Sequence, residues 1–202
     1  MIDTKKVDLN LVYEDEISGL ILRKILTSFS DKFNINNEFG KTGNGYIRKN
    51  IKNFNYASKV TPFLVLTDLD MHECPIQLIE KWLDFKKDEN LIFRIAVREI
   101  ESWVIADAEG IAEYFKIDKT RIPKNPDQII DSKQTLINLA KLSKSKTIKS
   151  GIVPRNGSTS KQGIQYNILI GKFIRDFWKL ERAKTRSESL QRATNALTNF
   201  TP

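Results

Sequence analysis

A chain of 202 residues, 40% of them apolar and 29% charged, can bury a sizeable core as one domain with appendages or as two small ones. Its longest apolar runs fall far short of a membrane span, and the opening Met1-Ile2-Asp3-Thr4-Lys5-Lys6 lacks the apolar stretch of a signal peptide, so a cytoplasmic protein with no membrane partner is expected. Cys74 is the single cysteine, which excludes an intrachain disulfide.

The net charge of +8 is unevenly spread. Up to Phe115 there are 15 Lys+Arg against 19 Asp+Glu; from Lys116 onward there are 18 against 6. Residues 132–175 contain no carboxylate at all, yet they carry Lys133, Arg155 and Lys161 among other cations. Two readings stand side by side: a surface that binds polyphosphate, or a solvated lysine face. The same shift in charge suggests an α/β core over residues 1–115 and a basic helical extension over 116–202 packed on it.

Val7 to Tyr13 alternates as a strand and ends in Glu14-Asp15-Glu16. A helix follows to Ser28, with Ile17, Leu20, Ile21 and Ile25 at helical spacing. Glu14 thus falls where a first strand passes into a first helix, a position that supplies ligand groups in open α/β sheets; the alternative is a first-turn acid that complements the helix dipole. Phe33 to Phe39 forms a weaker second strand. It leads into Gly40-Lys41-Thr42-Gly43, which lacks the earlier glycine of a phosphate-binding loop because Ile35 occupies that place. Lys41 remains a candidate phosphate contact, beside the plainer and favoured reading of this loop as a flexible turn, and Tyr46 to Ala57 reads as a basic helix.

The run Phe63 to Thr67 suits a strand buried on both faces, and it delivers Asp68 and Asp70 at its end. If the extended conformation continues, these two carboxylates point the same way while Leu69 turns into the fold. Such a pair can hold a hard divalent cation; the plainer reading makes Asp68 a helix cap and Asp70 part of a solvated turn. His72 and Cys74 lack the second ligand pair that a zinc site needs, so Cys74 reads as a buried thiol before a helix from Pro75 to Phe85.

Leu91 to Val97 is the next buried strand, running into Arg98-Glu99-Ile100-Glu101-Ser102-Trp103. Extended backbone places Glu99 and Glu101 on one face; a helix that starts at Glu99 places them about 200° apart. That helix has Ile100, Trp103, Val104, Asp107 and Ala108 on its inner stripe, so Asp107 requires a partner, and a structural one is favoured. A proline-interrupted connection, a helix from Ser132 to Leu142 and a polar surface loop over 144–163 follow. Helices at 164–180 and 187–198 close the chain, the last capped by Ser187. Trp82, Trp103 and Trp178 read as core residues.

Glu14, Asp68, Asp70 and Glu101 all follow strand ends, and in a mostly parallel sheet such acids gather on one rim. Hard oxygen donors suit Mg²⁺ or Mn²⁺, and a pair of such ions can activate a water and stabilise the leaving oxygen of a phosphodiester. Arg98 reads either as a phosphate contact or as the partner of a buried carboxylate.

With a glutamate after the first strand and Asp68-Leu69-Asp70 after a later one, the chain resembles the Toprim fold of topoisomerases, primases and the nucleases paired with overcoming-lysogenization-defect (OLD) ATPases. It is similar to a group of uncharacterised bacterial Toprim-like proteins of about this length. The marks include Tyr13-Glu14-Asp15-Glu16, Cys74-Pro75, Arg98-Glu99-Ile100-Glu101-Ser102-Trp103, Asp131-Ser132-Lys133, Tyr166-Asn167 and Ser189-Leu190. The resemblance implies a Rossmann-like, Toprim-type sheet and a metal-dependent nuclease acting on DNA or RNA. Such proteins are often encoded beside an ABC-type, SMC-like or OLD-type ATPase in anti-phage defence loci. Carried over, Glu14 is a catalytic acid or base and metal ligand, Asp68 and Asp70 bind Mg²⁺ or Mn²⁺, and Glu101, with Glu99, completes a second metal site. Lys41, Arg98, Lys133, Arg155 and Lys161 are the candidate nucleic-acid contacts. Asp15 departs from the pattern, since many Toprim domains have glycine there. A non-catalytic subunit that docks on an ATPase or binds nucleic acid is the competing expectation.

Overall fold

The structure, a computed structural model, describes residues 6–40 and 43–201. It divides into two compact units: the chain up to Ala96 together with the segment from Arg192 onward, and Val97–Gln191.

The first unit is α/β. In chain order it holds β1 (Val7–Val12), α1 (Glu16–Thr27), β2 (Phe33–Phe39), α2 (Gly43–Ala57), β3 (Phe63–Asp68), α3 (Pro75–Trp82) and β4 (Leu91–Ala96). The four strands pair in the order β2-β1-β3-β4 and every pairing is parallel, as the strand–helix alternation of the sequence implies. Burial differs between the strands. Phe63 to Leu66 in β3 and Leu9, Leu11 and Val12 in β1 are buried, whereas β2 is an edge whose Asn34 to Glu38 are exposed. One extra residue of β2 interrupts its register with β1 between Leu9 and Leu11. Buried Asn10 lies at that irregularity, its Oδ1 accepting from the Asn37 N–H at 3.1 Å and from the Asn36 side chain at 3.2 Å.

The end of β1 is fixed by Tyr13, whose ring leaves no room for side chains at Gly19 and Gly40. A Cβ at Gly40 would lie 2.0 Å from the ring, and one at Gly19 2.6 Å. The phenol donates to Glu38 at 2.7 Å, and Arg23 pairs with the same carboxylate. Gly40→Ala is therefore expected to cost about 1–3 kcal/mol through overpacking, measured as a lower urea midpoint. At the C-terminus, Lys32 donates to the last carbonyls of the final helix, Leu197 at 2.9 Å and Thr198 at 2.7 Å.

The second unit is helical: α4 (Ile100–Ala106), α5 (Ala108–Phe115), two short 3₁₀ turns, α6 (Ser132–Lys141), α7 (Lys146–Ile152), α8 (Tyr166–Asp176), α9 (Leu180–Ala183) and the first residues of α10 (Glu188–Thr198). Its centre is Trp103 and Trp178, both fully buried, with the Trp178 indole donating to the Trp103 carbonyl at 2.9 Å and the Trp103 indole to Ser189 Oγ at 2.7 Å. Ser187 Oγ accepts from the Leu190 N–H at 3.2 Å, the expected cap of α10.

Five sequence expectations are corrected. The surface loop over 144–163 contains α7, started by a Ser145 cap and anchored by buried Ile148 and Ile152 one turn apart. The helix expected to run on past Asp107 is broken there, because Asp107 ends α4 and caps α5 through the Gly110 N–H at 3.0 Å. The helix expected over 164–180 is α8 and then α9, and α3 stops at Trp82 rather than Phe85. Cys74 is half-buried at the N-terminus of α3 rather than enclosed.

Candidate functional site

Strand order reverses beside β1: the chain moves from β1 to β2 on one side and returns to β3 on the other. In open parallel sheets a crevice forms outside the carboxyl ends of the strands at such a reversal, and this is where ligands bind. Glu14 follows β1 there, and Asp68 ends β3.

Glu14 is held by one oxygen. Its Oε1 accepts from the Thr67 hydroxyl and from the Asp68 backbone N–H, the latter at 2.8 Å. Its Oε2 accepts no hydrogen bond among the described residues. Burial pushes the Glu14 carboxyl above the ordinary glutamate range. The bonds from Thr67 and Asp68 pull the other way, and the charges of Asp70 and Asp15 add to the rise. Thr67 is a residue of this candidate site that the sequence alone did not single out. It is the one hydroxyl in the apolar run of β3, buried at 1% exposure, and a polar residue at that place signals a partner across the sheet.

Asp70 does not continue the strand. The Leu69 N–H still donates to the Ala96 carbonyl at 2.9 Å, and buried Leu69 turns into the fold as expected, but Asp70 has φ of +50°. The two-residue alternation that was to align Asp68 with Asp70 ends with the ladder. Aspartate tolerates this left-handed conformation better than most residues. The Asp70 carboxylate instead accepts from the Asn44 side chain, in the first turn of α2, at 3.0 Å. The Gly43 N–H, at φ +74°, donates to the Glu14 carbonyl at 3.0 Å, so the start of α2 lies against the end of β1. Lys41 lies outside the described residues. Asp15 caps α1 by accepting from the Ser18 N–H at 2.8 Å.

The donor chemistry of Glu14, Asp68 and Asp70 suits a hard cation, and the charge of Asp70 acting on Glu14 is what such a cation would offset. Among the described residues no three His, Cys, Asp or Glu side chains form a group able to hold a metal ion as placed.

Glu99 and Glu101 belong to the second unit. The backbone is extended at Glu99 and helical from Ile100, yet both carboxylates reach one residue. Glu99 Oε2 accepts the Lys133 N–H at 2.9 Å, at the start of α6, and Glu101 lies 3.8 Å from the Lys133 ammonium. Glu101 is 3% exposed and accepts from the Tyr166 hydroxyl at 2.9 Å. Lys133 also sits over the Tyr166 ring, 5.1 Å from its centroid. Its ammonium is thus turned toward Glu101 and Tyr166. Arg98 is half-buried beside Glu99, while Arg155 and Lys161 are exposed. Tyr166→Phe removes a donor from a buried carboxylate and is expected to lower stability by about 2 kcal/mol, read from urea denaturation at pH 7.

Asp107 has the structural role expected of it. It is fully buried, with Oδ2 accepting from Arg182 at 2.7 Å and from the Lys179 N–H at 2.8 Å, and Oδ1 from Gly110.

The fold and rim define an α/β protein with carboxylates at the switch point of a four-stranded parallel sheet. No protein-family model, no curated protein and no solved structure matches the chain. Among the described residues no helix is long and apolar enough to cross a membrane.

Proposed function

We propose that the protein is a Mg²⁺- or Mn²⁺-dependent nuclease with a Toprim-like first unit, working in the cytoplasm beside an ABC-type, SMC-like or OLD-type ATPase in anti-phage defence. The observation that carries the reading is the Glu14 carboxyl at the sheet reversal, with Oε1 held by Thr67 and Asp68 and Oε2 accepting from none of the described residues. A carboxyl raised by burial above the ordinary glutamate range, and fixed in orientation, is a stronger base than a free glutamate. Glu14 takes a proton from the attacking water at Oε2, and Thr67 keeps the carboxyl plane from turning away. Asp68 and Asp70, with Glu14, are the residues that would hold the cation. When bound, that ion supplies the positive charge that draws a phosphodiester to an acidic rim. The basic stretch 132–175 supports a role in binding the nucleic-acid backbone.

The test is cleavage of supercoiled plasmid, single-stranded DNA and RNA with Mn²⁺, Mg²⁺ or EDTA, beside an Asp68→Ala/Asp70→Ala variant. Metal-dependent cutting by the unmodified chain and none by the variant is expected. No cutting of any substrate, with or without the ATPase, points to the docking subunit instead.

A further inference from the structure

The second unit has a cavity of about 330 Å³ between α7 and the start of α8. That volume is at the lower end of the range for small-molecule sites, roughly 300–1,000 Å³. Its lining is mixed. Val153 and Ile164 are apolar, and Ile164 is 89% exposed although it is a large aliphatic side chain. Ser150, Arg155, Ser158, Ser160 and Gln162 are polar, and no carboxylate of the described residues lines the space.

Three of the polar groups have donors to spare. Ser158 Oγ accepts from the Ser160 N–H at 3.1 Å, and its own proton goes to none of the described residues. Gln162 is engaged through its backbone, whose carbonyl accepts from Ser160 Oγ at 2.8 Å and whose N–H donates to the same hydroxyl at 3.4 Å. Its carboxamide and the Arg155 guanidinium donate to no described residue. Guanidinium, hydroxyl and carboxamide donors lining one space, within a 44-residue stretch that has no carboxylate in its sequence, suit a multiply charged oxyanion better than a cation or a neutral ligand. Val153 and Ile164 then take an organic group attached to that anion.

We infer that this cavity binds a phosphate monoester with a small organic body, such as a nucleoside monophosphate or the phosphorylated end of a nucleic-acid strand. Arg155 is the principal phosphate contact, Ser158 and Gln162 complete the donor set, and Val153 and Ile164 pack against the organic part. Lys161 sits on the same connection but does not line the space. The inference goes beyond the nuclease reading and stands without it, because no group of the acidic rim takes part.

The experiment is isothermal titration calorimetry of the full chain in EDTA at moderate salt, which keeps any divalent cation from contributing. Adenosine monophosphate, a 5′-phosphorylated trinucleotide, the same trinucleotide without its phosphate, adenosine and inorganic phosphate are titrated in turn. The monoesters are expected to bind more tightly than their unphosphorylated counterparts. Arg155→Gln is expected to weaken that binding by about 10- to 100-fold, the loss of a charge-assisted hydrogen bond, and Ser158→Ala by a smaller factor. Lys144→Gln removes a charge from the same carboxylate-free stretch away from the cavity and is expected to change little. Binding of adenosine monophosphate alone identifies a small-molecule site, and binding of the phosphorylated trinucleotide identifies a strand-end site. Equal affinity for phosphorylated and unphosphorylated forms overturns the inference. So does equal weakening by Arg155→Gln and Lys144→Gln, or no binding of either monoester. Arg155 is exposed, so Arg155→Gln leaves folding intact, as its unchanged thermal melt verifies.

Discussion

Glu14→Gln is expected to reduce metal-dependent cleavage by about 10²- to 10⁴-fold while raising the stability of the metal-free chain at pH 7. The two effects have one cause. Burial disfavours the charged carboxylate and raises the Glu14 pKa above its ordinary value. A group raised in this way contributes stability that is fully present below the unfolded glutamate pKa and is lost as pH rises through the folded one. At neutral pH the unmodified chain therefore carries the cost of a buried charge, whereas glutamine retains an oxygen to accept from Thr67 and Asp68 without that charge. Urea denaturation in EDTA at pH 4 and pH 7 measures this: the advantage of the variant is expected at pH 7 and should shrink toward pH 4. Asp68→Asn provides the contrast, because its backbone N–H still holds Glu14. A Glu14→Gln variant less stable than the unmodified chain at pH 7 would show that the carboxylate is a net structural asset.

Asp107→Ala is expected to cost about 3–5 kcal/mol, the largest stability loss of any single substitution considered. Its carboxylate is fully buried and serves Arg182, the Lys179 N–H and the Gly110 N–H at once. A Cβ at Gly110 would fall 2.6 Å from Asp107 Oδ2, so the group is also tightly enclosed. Truncation leaves two backbone donors without their acceptor and takes the buried carboxylate from a guanidinium that still donates to the Phe177 carbonyl at 2.9 Å. Because the cost is largely that of the stranded partner, the Asp107→Ala/Arg182→Ala double variant is expected to lose less than the sum of the two single losses. Strict additivity in urea denaturation would contradict the coupling.

The sheet was legible in the sequence because its strands are short apolar or alternating runs, and parallel pairing follows from the helices between them. The acid positions were legible for the same reason, since Glu14 and Asp68 stand directly at the ends of β1 and β3. Asp70 was misread in geometry: side-chain alternation holds only while the ladder lasts, and Asp70 lies beyond it in a left-handed turn. Asp107's need for a partner was plain from its place on an apolar stripe, but Arg182, 75 positions away, could not be named from spacing. Glu99 and Glu101 illustrate the same limit. Helical geometry separates them, and only the placement of Lys133, from α6, brings both to one residue. The helix α7 was hidden because its polar positions outnumber Ile148 and Ile152.

The most direct test is Mn²⁺ titration of the purified chain followed by electron paramagnetic resonance, since it needs neither substrate nor partner. The account predicts a site whose affinity falls at least about tenfold in Glu14→Gln and in Asp68→Asn/Asp70→Asn, as expected when a charged ligand is removed. Equal Mn²⁺ affinity in all three proteins, or no binding by the unmodified chain, would contradict a metal-dependent role for the rim of the sheet.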